Sequence, residues 1–218
     1  MLTPDPLGAF HTYGKRIFEY MRDTVEAVRA SHDDEGGLGL RRPYDDKVGA
    51  FPCRSFNLGS QTVTIPHVDD KNLAYSWCSV TALGNFNPDV GGHLMLWDFN
   101  LAIRFPPGST IMIPSALFIH SNAAIQKDET RYSIVQYAAG GLFRWARRGF
   151  MSEKEWLRRR AAQGAAKGAF QLEGGQDGGG LEGAQEEEEC SWDDAANMFS
   201  TLDELMEKRA CAASSSTA

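Results

Sequence analysis

The sequence predicts a mainly β domain, an all-β barrel or a double-sheet jelly roll, with flanking α-helices. Three observations predict it. Residues 50–139 break into about eight short apolar or alternating runs. Pro and Gly clusters ("NPDVGG", "FPPGS", "AAGG") separate them, and segments of helical period lie only on either side.

The first element is an amphipathic helix over 12–31, "TYGKRIFEYMRDTVEAVRAS", with Ile17, Tyr20, Met21, Val25 and Val28 on one stripe. "SHDDEGGLGLRRP" breaks it with turn residues. The strand candidates follow as "RSFNLGS", "TVTIPH", "SWCSVTALG", "GHLMLWDF", "LAIRF", "STIMIPS", "ALFIHSN" and "RYSIVQYAA". A helix is expected over 152–167, with Ser152 as N-cap and Glu155 completing a capping box. Residues 1–160 are thus read as one domain with its N-terminal helix, and 161–190 as a disordered, Gly-rich acidic linker. Residues 191–210 form a last helical segment that could fold back onto the domain.

Composition excludes several classes. At 42% hydrophobic residues the 218-residue chain can bury a sizeable core, so global disorder is not expected. No apolar run reaches the roughly 20 residues of a membrane span, and "MLTPDPLGAF" has no signal-peptide pattern. The cysteines, Cys53, Cys78, Cys190 and Cys211, form no CxxC pair, which argues against a zinc ribbon or disulfide framework and for reduced intracellular thiols. The net charge of −7 is unevenly spread: residues 161–218 hold 3 basic and 12 acidic side chains, whereas 1–160 hold 19 and 17. The body therefore remains open to an anionic partner.

The chemistry-bearing residues begin in "TVTIPHVDDKN". On a strand, residues two apart face one side, so His67 and Asp69 can converge while Val68 points away. His120, at the end of "ALFIHSN", supplies a third ligand. Two imidazoles and one carboxylate make the facial triad of non-haem Fe(II) oxygenases, which keeps positions open for co-substrate and oxygen. Eleven residues beyond His120, Arg131 and Ser133 share a strand face in "ETRYSIVQY". A guanidinium fork with a hydroxyl beside it suits the distal carboxylate of 2-oxoglutarate. Each residue also has a plainer reading: a structural histidine at a strand end, a surface ion pair for Arg131. His93 in "GGHLMLWD" is either an ordinary strand residue or a second contact to 2-oxoglutarate near the iron.

These runs, from "RSFNLGSQTVTIPHVDDKNLAYSWCSVTALGNFNP" through "GGHLMLWDFNLAIRFPPGSTIMIPSALFIHSN" to "ETRYSIVQYAAGGLFRW", resemble the fungal TET/JBP-like 2-oxoglutarate/Fe(II) dioxygenases over roughly residues 45–150. The resemblance implies a double-stranded β-helix (jelly roll) with flanking α-helices, oxidation of a methylated base in DNA, 5-methylcytosine or N6-methyladenine, and hence a role in DNA demethylation in the nucleus. It implies His67, Asp69 and His120 as iron ligands and Arg131 with Ser133 as the 2-oxoglutarate clamp. Asn72 stands where the family's HxDxxN pattern has a base-contacting Asn; its other reading is a turn residue closing the strand. The Cys-rich zinc segments of the animal members are absent from this chain, so any grip on DNA must come from elsewhere. One place is "RWARRGFMSEKEWLRRR" (144–160), seven basic residues against two glutamates, which could equally be a solvated helix face.

The expectation is therefore a monomeric enzyme using Fe(II) and 2-oxoglutarate on DNA containing methylated bases, with no membrane partner. Its rivals are a 2-oxoglutarate oxygenase of protein or small molecules and a non-catalytic nucleic-acid-binding relative.

Overall fold

The computed structural model describes residues 6–33, 49–173 and 192–215. Two helices come first, α1 (Pro6–Tyr13) and α2 (Lys15–Asp33). Seven strands follow among the described residues: β1 (Cys53–Asn57), β2 (Cys78–Asn85), β3 (Leu94–Leu96), β4 (Leu101–Ile103), β5 (Thr110–Ile113), β6 (His120–Asn122) and β7 (Thr130–Tyr137). Then come α3 (Gly140–Arg147), α4 (Glu153–Glu173), α5 (Trp192–Asn197) and α6 (Leu202–Ser215). The strands form two antiparallel sheets, ordered β1-β7-β2-β5 and β4-β3-β6.

Register explains which residues meet inside. Directly opposed residues of antiparallel strands point the same way. Ser55 and Asn57 on β1 oppose Val135 and Ser133 on β7. Val80 and Ala82 on β2 oppose the same two residues from the other side. One face of the larger sheet thus carries Ser55, Asn57, Val80, Ser133 and Val135, and by alternation Arg131 and Tyr137. Across from it, Leu94 of β3 and His120, Ser121 and Asn122 of β6 close a cavity of about 260 Å³. Close approach of β2 to β7 at Arg131 depends on Gly84. It sits opposite Arg131 with φ +117°, and a Cβ there would lie 2.2 Å from the Thr130 carbonyl oxygen.

The helices pack against one end of the sheets. On α2, Ile17, Met21 and Val28 are buried, three of the five residues of the expected stripe. The sequence reading missed α1, whose Phe10 stacks between Phe51 and Trp77 at 5.4 and 5.5 Å. Aromatic stacking of this kind is set by distant partners, not by local period. The C-terminal segment does fold back. Ala195 joins the core of Phe10, Phe18 and Phe143, Met198 and Phe199 pack against it, and Ser200 donates to the Tyr13 carbonyl. Ser152 Oγ accepts from the Glu155 N–H, so the expected cap opens α4. That helix continues to Glu173, through residues 161–173 at the start of the stretch read as linker; "AAQGAAK" is rich in alanine, the strongest helix former. Residues 174–190 of that stretch lie outside the described residues.

One expected strand is corrected. "TVTIPH" (62–67) is extended but joins no ladder, and Val63 and Ile65 are 56% and 80% exposed. It is a crossing segment. At Gln61 it bridges β7, and at His67 it bridges His120 of β6, in the other sheet. Between these points Asn122 replaces the ladder: its Oδ1 accepts from Thr64 N–H and Oγ1, and its Nδ2 donates to the Thr62 carbonyl.

Candidate metal centre

His67 and His120 exchange both backbone hydrogen bonds, 3.0 and 2.9 Å, so they are opposed residues of one antiparallel pair. Their imidazoles consequently lie on one side, 4.4 Å between ring centroids. The Nδ1 of His67 is 2.7 Å from the Ile65 carbonyl and that of His120 is 3.0 Å from the Phe118 carbonyl. A carbonyl only accepts, so both Nδ1 atoms carry the proton and both Nε2 atoms present a lone pair. Bonds of this type orient metal-ligating histidines. Asp69 sits below, with Oδ1 3.6 Å from His67 Nε2 and Oδ2 4.0 Å from His120 Nε2. The three donor atoms all lie within 4.8 Å of one another, close enough to hold one metal ion. His67 and Asp69 side chains remain 36% and 29% exposed against 10% for His120, so the opening is on the His67 side.

Asp69 is itself held. Its N–H donates to the Ser115 carbonyl, and its Oδ2 accepts from the Asn72 side-chain amide at 3.2 Å. The same amide is 3.5 Å from Ser115 Oγ, while the Asn72 N–H closes a turn onto the Asp69 carbonyl. Asn72 is thus a turn residue, as one reading had it, and also a brace for the carboxylate. Cys78, read from the sequence only as a reduced thiol, lines the cavity nearby. Burial, then the Asp69 charge, pushes its thiol up to about 12, so it stays protonated at neutral pH.

The other end of the cavity is built around Arg131 and Ser133, both nearly fully buried and both lining it. Arg131 donates one bond to the Thr62 carbonyl, its Nε has no partner, and it pairs with no carboxylate among the described residues. Burial draws its pKa below the ordinary guanidinium value, yet arginine remains charged at neutral pH. A buried cation with an orphaned donor fits an anionic ligand. Beside it, Asn57 donates to Ser133 Oγ at 2.9 Å. Asn57, Thr64 and Asn122 were not foreseen as lining residues. A polar Ser55-x-Asn57 face inside "RSFN" was the available signal.

His93 is not brought to the site. It does not line the cavity beside its neighbour Leu94, and its carbonyl accepts from the Ala123 N–H. Its imidazole lies near Asp89, whose carboxyl is held down chiefly by Arg104 and slightly by His93.

No protein-family model matches the chain, and no curated protein matches it either. Among solved structures it is similar to NgTET1 in complex with 5mC DNA, with a TM-score of 0.39 and 19% identity over 56% of this chain and 52% of that one. The chain spans about half the length of that structure. Among the described residues, no helix is long and apolar enough to cross a membrane.

Proposed function

We propose that the cavity is the centre of an Fe(II)- and 2-oxoglutarate-dependent dioxygenase that hydroxylates the methyl group of a modified base in DNA. The observation that carries this is the pairing of two features in one cavity. A His67–Asp69–His120 triad presents its donor atoms to a single point, and a buried Arg131 without a carboxylate partner lines the same space. In this reading the two facing sheets are those of a double-stranded β-helix.

His67, Asp69 and His120 would hold the iron, since a mixed imidazole–carboxylate set with few protein ligands suits non-haem iron. Arg131 and Ser133 would bind the distal carboxylate of 2-oxoglutarate by charge-assisted hydrogen bonds. Bound together, iron and 2-oxoglutarate would let dioxygen hydroxylate the methyl C–H bond, one oxygen atom going to the product and the other to succinate, with carbon dioxide released. Asn57 orients the Ser133 hydroxyl, and Asn122 holds the 62–64 segment that roofs the clamp. Asn72 braces Asp69 with its donor; its Oδ1 accepts no bond among the described residues and is available to a base edge. Because the target lies in a duplex, the base must leave the stack to reach the cavity.

A second reading, a dioxygenase of an apolar small molecule or a protein side chain, is favoured by the residues beside the triad. Ile65 and Val68 flank His67 and are exposed, as are Leu117 and Ile119 beside His120. One experiment separates the readings. The protein is incubated with Fe(II), 2-oxoglutarate, ascorbate and duplexes carrying 5-methylcytosine or N6-methyladenine, and nucleosides and succinate are measured by mass spectrometry. Hydroxymethylated nucleoside formed with stoichiometric succinate supports DNA as substrate. Succinate formed at the same rate with and without DNA, and no modified nucleoside, supports the second reading. No succinate under any condition rejects both.

A further inference from the structure

The basic segment 144–160 is a built surface, not merely a run of charges. Helix α3 ends in a Schellman motif: Gly149, at φ +66°, donates to the Ala146 carbonyl and Phe150 to the Trp145 carbonyl. The hydrophobic contact that accompanies this motif is present, with Trp145 and Phe150 rings edge to face at 5.1 Å. The turn delivers the chain into α4 at a fixed angle. There Trp156 carries two guanidinium groups, Arg148 of the α3 end at 4.2 Å and Arg160 of α4 at 4.7 Å from the ring centroid. Arg148 also pairs with Glu153, and Arg159 with Glu155. Both glutamates of the segment are thereby used, and Arg144, Arg147, Lys154 and Arg158 are exposed with no carboxylate partner among the described residues.

The helix pair also starts at the candidate site. The Gly140 N–H donates to the Lys71 carbonyl, and Asn72 bridges Ala139, so α3 begins on the turn that holds Asp69. Lys71, exposed, adds a further cation at that junction. The packing is tight: a Cβ on Gly140 would sit 3.3 Å from both the Lys71 and Asn72 carbonyl oxygens.

From these observations we infer that the α3–α4 surface, centred on Arg144, Arg147, Lys154 and Arg158, binds the phosphate backbone of DNA. Clustered, solvent-exposed cations with no carboxylate partner among the described residues are complementary to a run of phosphates. Arginine pairs with phosphate through two bonds at once. This inference rests on the DNA reading above, but concerns binding and not chemistry.

The test is the binding of a fluorescently labelled duplex by the full chain without added metal, followed by anisotropy over a range of salt. The variant R144Q/R147Q/K154Q/R158Q is compared with a control of equal charge change on α2 and elsewhere, K15Q/R29Q/R104Q/K127Q. The α3–α4 variant should lose at least about tenfold in affinity, and its log K against log salt slope should flatten by about 0.9 for each phosphate contact removed. The control should change little. Equal losses in both variants would show diffuse attraction only and overturn the docking surface, as would no loss in either. Binding of anionic phosphatidylserine vesicles in place of duplex would also overturn it. Circular dichroism checks that the variant is folded, and a variant that unfolds is replaced by the single changes R147Q and R158Q. Failure of the dioxygenase reading is seen separately: wild-type protein that binds DNA with the stated salt slope yet forms no succinate leaves the docking surface standing.

Discussion

The side-chain amide of Asn72 donates to Oδ2 of Asp69 at 3.2 Å, and the backbone N–H of the same residue closes a turn on the Asp69 carbonyl. One residue therefore fixes both the position and the rotation of the carboxylate between the two histidines. Outer-shell partners of metal ligands are typically worth about 10- to 100-fold in metal affinity. Asn72→Ala should accordingly weaken Fe(II) or Mn(II) binding by about that factor, measured by calorimetry on the metal-free protein. A variant with unchanged metal affinity but lower DNA oxidation would instead assign Asn72 to the base alone.

Asp69→Ala should remove metal binding at micromolar concentrations and abolish turnover. Without the carboxylate, two neutral imidazoles leave the charge of the ion uncompensated. Succinate formation and metal content are the measurements, and wild-type values for both would show that the triad does not hold the metal.

Arg131→Lys should raise the 2-oxoglutarate concentration needed for half-maximal rate. A lysine offers a point charge where the guanidinium offers a fork, and hydrogen bonds to charged groups are worth about 1.5–3 kcal/mol. Loss of one such bond corresponds to roughly 10- to 150-fold in KM. Fe(II) affinity should stay constant, because the residue lies at the other end of the cavity. An unchanged KM for 2-oxoglutarate would place the clamp elsewhere.

How much of this was legible in the sequence depends on the range of the interactions involved. Arg131 and Ser133 were readable because β7 is a long strand in which alternation is kept, and both are buried on one face. His67 and Asp69 were found for a partly mistaken reason. They converge, but through a bridge to His120 and a turn onto Asn72, not within a strand. Val63 and Ile65 made that segment look like core, whereas it crosses between sheets with both exposed. Which sheet a segment joins is a non-local choice that period cannot reveal. The same holds for α1, placed by Phe51 and Trp77 far along the chain, and for Asn57 and Asn122, whose roles come from register.

The docking of α6 should depend on pH. Thr201 and Glu204 form a capping box: the Thr201 N–H donates to Glu204, and Thr201 Oγ1 accepts from the Glu204 N–H. Glu204 also pairs with Arg16 of α2. The Thr201 bond first, and Arg16 after it, hold the Glu204 carboxyl below its ordinary value. A lowered folded-state pKa contributes stability that is present above the unfolded value, about 4.3, and is lost as pH falls through the folded one. The protection of α6 amides, taken relative to unstructured-peptide exchange at the same pH, should therefore fall below about pH 4. Glu204→Gln, which keeps the cap but loses the ion pair, should show faster exchange at neutral pH and a weaker pH dependence. If both proteins followed the same pH profile, the Arg16–Glu204 pair would not be what holds α6, leaving the bonds of Lys208 to the Thr12 carbonyl and of Ser200 to the Tyr13 carbonyl to do so.

The acidic segment beyond α4 should oppose DNA binding by the body. Residues 161–218 hold 12 acidic side chains against 3 basic, and four of the glutamates, Glu186–Glu189, are consecutive. A tethered polyanion raises the local negative potential around a cationic surface, and it does so only within the screening distance, about 10 Å at 0.1 M salt. Replacing all four by glutamine should tighten duplex binding about threefold or more at 0.01–0.05 M salt, where screening is weak. The gain should shrink towards nothing near 0.3 M. Anisotropy titrations of the two full-length proteins at these ionic strengths are the measurement. Because Gln and Glu differ little in helix propensity, a change in melting temperature is not expected. Identical affinities at the lowest salt would mean that the acidic run acts on no DNA-binding surface of this chain.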